Sequence, residues 1–214
     1  MSHLLVALTA HGFGHAAQAA PVINALRRRL PSLQLTLRSN LPRAFLATRF
    51  EGVFDVVPSL ADSGMVMDGA LTVNVARSMA AYAELHKDWD RHVHAEAQAL
   101  ERIAPDLVLA NVSYLTLAGA AAAGIPAYAL SSLNWADIYS HYAKQSGTAN
   151  STAGKIHDQI LAAYRSAHAF LQTEPSMPML DLPNRRAIGV VAREGVNRRE
   201  EINAKLQLAA GTRL

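Results

Sequence analysis

The sequence predicts an α/β fold, a doubly wound parallel sheet covered by helices on both faces. Short apolar runs at residues 4–8, 107–110 and 125–130 are bounded by glycine, proline or polar residues, as is typical of buried strands. Amphipathic stretches with helical spacing lie between such runs, so strands and helices alternate along the chain. Because such sheets bind ligands at the carboxyl ends of their strands, the residues that follow each strand are the first candidates for a site.

The first half of the chain predicts three strands, at 4–8, 33–37 and 53–57, and two helices, at 16–30 and 42–50. Residues 59–70 lack both the strand and the helix period, so we expect a loop over the sheet edge there. Residues 72–103 contain neither proline nor glycine and are rich in helix-forming residues. They predict one long helix, with a bend near Lys87 and Asp88.

The second half continues the alternation with four strands, at 107–110, 125–130, 169–172 and 187–191, and two helices, at 115–123 and 155–167. The small, polar segment 146–154 is predicted to be a loop. Residues 1–192 are therefore expected to form one domain. Residues 193–214 are charged and prone to form a helix, with Glu201 and Lys205 spaced for a helical ion pair, and are interpreted as a linker or tail.

Composition excludes several classes of function. The 214 residues include no cysteine, which rules out a disulfide framework, a thiolate zinc site and a cysteine nucleophile. Only 17% of the residues are charged and the net charge is +3, which lacks the dense basic stripe of nucleic-acid-binding proteins, so no nucleic-acid partner is expected. The N-terminal apolar run has no basic lead and is too short to span a bilayer, so a cytoplasmic location is expected.

The most informative segment is His11-Gly12-Phe13-Gly14-His15, which follows the first strand and precedes the first helix. Glycines at such a turn let a ligand approach the main chain, and the unpaired N–H groups of the helix start favour an anion such as phosphate. An imidazole close to its ordinary pKa is the usual general base at neutral pH. The segment therefore predicts a ligand site with one or two titratable histidines.

A dinucleotide site is the first alternative, because Gly12, Gly14 and Ala17 fit the pattern G-x-G-x-x-G/A after a strand. The acidic residue that holds the ribose of NAD is missing at the end of the second strand, where Arg38 stands instead. Arg38 suits the additional phosphate of NADP, which leaves an NADP-dependent oxidoreductase open. No metal site is expected, since His92 and His94 are two apart on a helix and point in different directions.

The histidine-glycine segment with Pro21, the run 105–111 and Gly124-Ile125-Pro126 together resemble the N-terminal domain of GT-B glycosyltransferases, in particular UDP-glycosyltransferase-like proteins. In that family two Rossmann-like domains face each other across a cleft. The N-terminal one binds the acceptor and carries the base, and the C-terminal one binds most of the nucleotide-sugar. The resemblance implies that this chain is the acceptor half, with residues 193–214 leading to the second domain.

The resemblance also implies roles for individual residues. His15 stands where many inverting members keep the base that deprotonates the acceptor hydroxyl, and His11 is the competing base. Asn111 stands where several members have an aspartate that orients this histidine, so it supplies a hydrogen bond without a charge. The expected substrate contacts are His11, Gly12, Phe13 and Gly14, with Gly12 and Gly14 shaping the loop near the donor phosphates, and Asn134 and Trp135 at the acceptor.

The function implied is that of an inverting, metal-independent glycosyltransferase that transfers a sugar from a nucleotide-diphosphate sugar to an acceptor hydroxyl. The donor is a co-substrate, and no other cofactor is expected. Its expected partners are the donor, an acceptor and the C-terminal domain of the same polypeptide, while peripheral contact with a membrane is left open. The isolated domain is expected to be inactive. An NADP-dependent oxidoreductase and a non-catalytic Rossmann-like binding module are the alternatives.

Overall fold

Strands and helices alternate in a computed structural model that describes residues 2–60, 64–193 and 195–208. The strands are β1 (His3–Leu8), β2 (Gln34–Arg38), β3 (Asp55–Val57), β4 (Met67–Gly69), β5 (Thr72–Val73), β6 (Leu107–Asn111), β7 (Ala127–Ser131), β8 (Ala169–Glu174) and β9 (Arg185–Val190). The helices are α1 (Gly14–Arg29), α2 (Arg43–Ala47), α3 (Val75–Lys87), α4 (Trp89–Ile103), α5 (Tyr114–Ala122), α6 (Trp135–Gln145), α7 (Ser151–Arg165) and α8 (Arg199–Leu206).

Seven of the described strands form one sheet, in the order β3-β2-β1-β6-β7-β8-β9. Every neighbouring pair in it is parallel. The chain runs outward from β1 to β3 on one side, returns to β6 on the other side of β1, and continues to β9. The carboxyl ends of β1 and β6 therefore flank the point where the winding reverses, which is where open α/β sheets bind ligands. The predicted doubly wound α/β fold is confirmed.

Alternate side chains of the central strands fill two separate cores. Leu4 and Val6 of β1 belong to a cluster with residues of α1 and α2, whereas Leu5 and Ala7 belong to a cluster with residues of α3 to α7. All four side chains are at most 3% exposed. Because burial of a large aliphatic side chain contributes about 1.5–3 kcal/mol, the period of two fixes which face each strand residue occupies.

The prediction of one long helix over 72–103 is wrong. Residues 72–73 form β5, and the helical part is divided into α3 and α4 at Asp88, close to the expected bend. The side chain of Asn74 accepts a hydrogen bond from the Arg77 amide at 3.0 Å and so starts α3. A cap inside an apparently continuous helical pattern therefore separates a short strand from the helix.

Three other segments differ from the sequence-based expectation. Within the predicted loop 59–70, residues 67–69 form β4 and pair antiparallel with β5, while 61–63 lie outside the described residues. The helix α6 was not predicted. The predicted loop 146–154 is shorter, because Asn150 caps the Ala153 amide and α7 starts at Ser151.

The predicted tail contains α8, none of whose residues is buried. Its expected ion pair is present, with Lys205 Nζ 3.0 Å from Glu201 Oε1. The division of the chain at residue 192 stays a prediction, and residues 194 and 209–214 of the predicted tail lie outside the described residues. In the described ranges no helix combines the length and the apolar character needed to cross a membrane.

Candidate active site

A cavity of about 760 Å³ opens at the carboxyl end of the sheet, next to the start of α1. This volume is within the range of small-molecule sites. Side chains from four parts of the chain meet there: the segment before and within α1, the β4–β5 hairpin, the end of β7 with α6, and a residue after β8. They are His11, Gly14, His15, Gln18, Met65, Met67, Val73, Ser131, Ser132, Leu133, Trp135, Asp137, Ile138, His141, Tyr142 and Met177.

The structure brings the two predicted catalytic residues into direct contact. His15 lies in the first turn of α1, and Asn111 is the last residue of β6, where it is in register with Leu8 of β1. Parallel pairing of β1 and β6 therefore delivers both side chains to the reversal point of the sheet. His15 Nδ1 is 2.9 Å from Asn111 Oδ1. The Nε2 atom of His15 makes no hydrogen bond to any residue that the structure describes.

Burial keeps the His15 imidazole neutral. The residue is 8% exposed, and desolvation lowers the pKa of its ring below the ordinary 6.5. The hydrogen bond to Asn111 acts in the opposite direction, and the neighbouring His11 lowers the pKa a little further. A neutral imidazole with an unpaired ring nitrogen beside a cavity has the properties of a general base.

The rest of the histidine-glycine segment surrounds the cavity mouth. Gly12 has φ +77°, a left-handed conformation that favours glycine, whereas Gly14 begins α1 with ordinary angles and lines the cavity. His11 is half-buried, which lowers its pKa, and its ring meets Trp135 edge-on at 5.3 Å between centroids. Phe13 points outward, 56% exposed, and its ring centroid lies 4.3 Å from that of Phe45.

The two expected acceptor contacts have different environments. Trp135 is 3% exposed and lines the cavity, with its ring centroid 6.1 Å from that of His15. Asn134 is fully buried and does not line it. The Asn134 amide instead caps α6, accepting from the Asp137 amide at 2.8 Å and donating to the Asp137 carboxylate at 2.8 Å. The expectation that Asn134 contacts the acceptor is therefore replaced by a capping role.

Arg38, on which the dinucleotide alternative depends, is not available to a ligand. Its guanidinium is 3% exposed and lies 2.6 Å from Glu96 Oε2 of α4, itself 1% exposed. The Thr116 hydroxyl donates to the other carboxylate oxygen at 3.0 Å. An arginine committed to a buried pair does not reach the 2′-phosphate of NADP.

Sequence reasoning missed Gln18 and Thr173, which extend the His15–Asn111 pair. Asn111 Nδ2 donates to Gln18 Oε1 at 3.1 Å, and Gln18 Nε2 donates to Thr173 Oγ1 at 2.9 Å. The spacing of three residues puts Gln18 on the His15 face of α1, a signal that the sequence contained. Thr173 is a polar residue near the carboxyl end of β8, and polar residues at strand ends are candidates for a site in such a sheet.

Metal ligation finds no support in the described part of the chain. There, no group of three or more histidine, aspartate and glutamate side chains is arranged to hold a metal ion. His86 of α3 is buried, with Nδ1 2.9 Å from the Gln159 amide oxygen and Nε2 3.1 Å from the Tyr114 hydroxyl. Desolvation lowers its pKa to about 4.

No known family model matches the sequence, and no curated protein matches it either. Solved structures are similar in fold. The glycosyltransferase of kitacinnamycin superposes with a TM-score of 0.57 at 14% identity, covering 92% of this chain and 53% of that one. Apo UGT2 of Phytolacca americana superposes with a TM-score of 0.53 at 13% identity, covering 94% of this chain and 55% of that one. A UGT transferase of Siraitia grosvenorii, in complex with UDP, superposes with a TM-score of 0.50 at 12% identity, covering 95% of this chain and 55% of that one.

At these identities the likeness concerns the fold. This chain spans about half the length of the solved structures that it matches. Together with the all-parallel sheet, the superpositions confirm the resemblance at the level of architecture. The chain has the fold of a Rossmann-like domain of the GT-B glycosyltransferases.

Proposed function

We propose that this chain is the acceptor-binding, base-bearing half of an inverting, metal-independent glycosyltransferase that uses a nucleotide-diphosphate sugar. The observation that carries the proposal is the neutral His15 imidazole, which lines the cavity and is held through Nδ1 by Asn111 at 2.9 Å. The fold of structurally similar glycosyltransferases supports the same class of reaction.

In the proposed reaction, an acceptor hydroxyl binds in the cavity with its proton directed at His15 Nε2. The hydroxyl oxygen attacks the anomeric carbon, the proton passes to Nε2, and the bond from that carbon to the diphosphate oxygen breaks. A single displacement inverts the anomeric centre. The imidazolium then formed donates through Nδ1 to Asn111, which orients the ring but supplies no negative charge.

Stabilisation of the leaving diphosphate is assigned to main-chain N–H groups at the start of α1 and to the second domain. The residue before α1, Phe13, makes no side-chain cap, and the first turn contains no acidic residue that would repel phosphate. This arrangement supports a reaction without a metal ion, because the helix start already favours an anion beside the base.

The cavity lining favours an acceptor with a largely apolar body. Three methionines and the side chains of Val73, Leu133 and Ile138 contribute apolar surface to its walls, with Trp135 beside the base. An apolar molecule that carries a hydroxyl would lose unfavourable water contact on binding and place its polar group at the histidine end.

A second domain of the same polypeptide, expected to bind the donor, belongs to the proposal, as does a cytoplasmic location. The similar structures are about twice as long as this chain, which supports a two-domain enzyme. The isolated chain is accordingly expected to have little transferase activity and weak affinity for nucleotides.

The test is a transferase assay on the natural polypeptide that contains this chain, with UDP-glucose as donor and small phenols and alcohols as acceptors. His15→Gln is expected to lower kcat about 10²–10⁴-fold, the usual contribution of a general base. The matched control is His168→Gln, which alters an exposed histidine and is expected to leave kcat unchanged. An unchanged rate for His15→Gln in a folded protein would instead support a binding module, and ordinary turnover by the 214-residue chain alone would contradict the half-enzyme proposal.

A further inference from the structure

The contact between His15 and Asn111 is the end of a longer chain of hydrogen bonds. Successive heavy-atom distances are 2.9 Å from His15 to Asn111, 3.1 Å from Asn111 to Gln18 and 2.9 Å from Gln18 to Thr173. Asn111 is fully buried and Thr173 is 2% exposed, whereas Gln18 between them is partly buried and lines the cavity. The chain crosses the carboxyl end of the sheet from β6 to β8, with α1 supplying both His15 and Gln18.

Such a chain has a direction, because the two ends of an amide differ: oxygen accepts and nitrogen donates. In the observed direction, Gln18 Nε2 donates to Thr173 and Asn111 Nδ2 donates to Gln18. Asn111 Oδ1 is then left facing His15 Nδ1, which must carry the hydrogen. If both amides turned over, the Thr173 hydroxyl would donate to Gln18, Asn111 would donate to His15 Nδ1, and the ring hydrogen would move to Nε2.

The two directions have opposite chemical consequences at the cavity. With the hydrogen on Nδ1, the Nε2 lone pair of His15 is free to accept a proton from a hydroxyl. With the hydrogen on Nε2, the ring has no lone pair on the cavity side and is not a base there. The tautomer of His15 therefore depends on the orientation of the Asn111 amide, which in turn is hydrogen-bonded to Gln18.

We propose that Gln18 and Thr173 are positioning residues that hold Asn111 in the orientation required for the Nδ1–H tautomer of His15. The Thr173 hydroxyl holds the Gln18 side chain in place, and Gln18 Oε1 accepts from the Asn111 amide nitrogen. Their importance for catalysis rests on the proposed function, whereas the tautomer is a property of the folded chain alone. Residue 111 is an asparagine, so its amide must be oriented before its oxygen faces His15, whereas either oxygen of an aspartate could accept from the ring. The contacts with Gln18 and Thr173 provide this orientation.

The other ionisable side chains facing the cavity are His11, Asp137, His141 and Tyr142. None of them hydrogen-bonds to Gln18 or Asn111 among the described residues, and Asp137 is engaged with the α6 cap. A change confined to residue 18 therefore reaches His15 through the hydrogen-bonded chain and through its own charge.

The experiment measures the imidazole ¹⁵N and ¹H resonances of the 214-residue chain labelled at histidine, with His15 assigned from the spectrum of His15→Gln. The unmodified chain is expected to show His15 mainly as the Nδ1–H tautomer at pH 7.5. Gln18→Leu removes the anchor and is expected to lower the ratio of Nδ1–H to Nε2–H about fivefold, the size of one net hydrogen bond. Gln18→Glu accepts only, so it keeps the Nδ1–H form and is expected to raise the His15 pKa by about one pH unit.

Two controls separate this effect from a general change in charge or folding. Gln98→Glu adds the same charge at an exposed position of α4 and is expected to leave the His15 resonances in place. His86 is buried elsewhere in the same molecule, and its resonances report whether the core stays intact in each variant.

The Thr173 pair keeps the test valid if Gln18→Leu folds poorly. Thr173→Val is expected to shift the tautomer ratio in the same direction as Gln18→Leu, and Thr173→Ser, which retains the hydroxyl, is expected to restore it. A predominantly Nε2–H ring in the unmodified chain, or an unchanged ratio in folded Gln18→Leu and Thr173→Val, would overturn the inference. If the tautomer behaves as expected but His15→Gln retains full transferase activity, the positioning chain stands and the proposed function fails.

Discussion

Removing Arg38 from its buried ion pair is expected to destabilise the protein strongly. Arg38 and Glu96 are 3% and 1% exposed, and their closest atoms are 2.6 Å apart. In Arg38→Met the Glu96 carboxylate keeps only the Thr116 hydroxyl at 3.0 Å and loses its cation. A charge left without its buried partner costs about 3–5 kcal/mol. Because whole domains are stable by about 5–15 kcal/mol, this loss is a large part of the total.

The double variant separates the loss of the pair from the loss of packing. Arg38→Met with Glu96→Met leaves no buried charge and is expected to recover most of the stability lost in the single variant, since well-packed apolar replacements of buried pairs are often neutral. Arg38 Nε has no hydrogen-bond partner among the described residues, which adds to the desolvation penalty of the native pair and favours this recovery.

The assay is the free energy of unfolding from urea titrations followed by circular dichroism. Arg28→Met is the matched control, because it breaks an ion pair of 3.1 Å whose partners are both 62% exposed. Such a surface pair contributes about 0–1 kcal/mol. Equal decreases in the free energy of unfolding for Arg38→Met and Arg28→Met would refute the view that Arg38 forms a buried ion pair. Binding of NADPH that depends on Arg38 would refute it independently.

The remaining predictions concern pH and backbone geometry. His86 has its pKa lowered to about 4 in the folded protein and 6.5 when unfolded, so the unfolded chain binds more protons between these values. The contribution of His86 to the free energy of unfolding is complete above pH 6.5 and falls by about 3 kcal/mol as the pH drops toward 4. In His86→Gln, unfolding titrations at a series of pH values should therefore show a smaller fall in the free energy of unfolding over this range. Gly12→Ala, at φ +77°, should lower the free energy of unfolding by about 1–2 kcal/mol in the same titrations, whereas Gly14→Ala should be nearly neutral. Gly64→Ala places a Cβ 2.6 Å from the His11 ring and should displace the His11 imidazole resonances.

Each of these expectations has an opposing result. An unchanged pH slope in His86→Gln would mean that other groups, such as His11 and His15 with their lowered pKa values, account for the acid sensitivity. Equal stability of the Gly12 and Gly14 variants would contradict a purely conformational requirement at Gly12. Undisturbed His11 resonances would contradict the close packing of Gly64 on that ring.

The places of the main strands along the chain, and the strand end that carries the candidate site, were predictable from local patterns. The apolar run of β1, the glycine turn and the first helix are adjacent in sequence, so His11 and His15 are presented at a strand end by short-range geometry. The helix α6 and the short strand β5 before α3 were not predicted, because single asparagine caps at the starts of α6 and α3 decide them within otherwise ordinary composition. Because its side chain caps α6, Asn134 does not line the cavity.

By itself, the sequence determined the alternation of strands and helices, and with it a parallel sheet whose carboxyl edge carries a histidine-glycine turn. The tertiary structure alone decided which distant side chains meet there. Asn111 follows His15 by 96 positions and Thr173 follows Gln18 by 155, so these pairs form only when β6 and β8 join the sheet. It also decided that Arg38 is buried against Glu96 rather than free for a nucleotide. Local periodicity reports the burial of each segment, but the hydrogen-bond partners of a polar side chain depend on contacts between segments that no local pattern encodes.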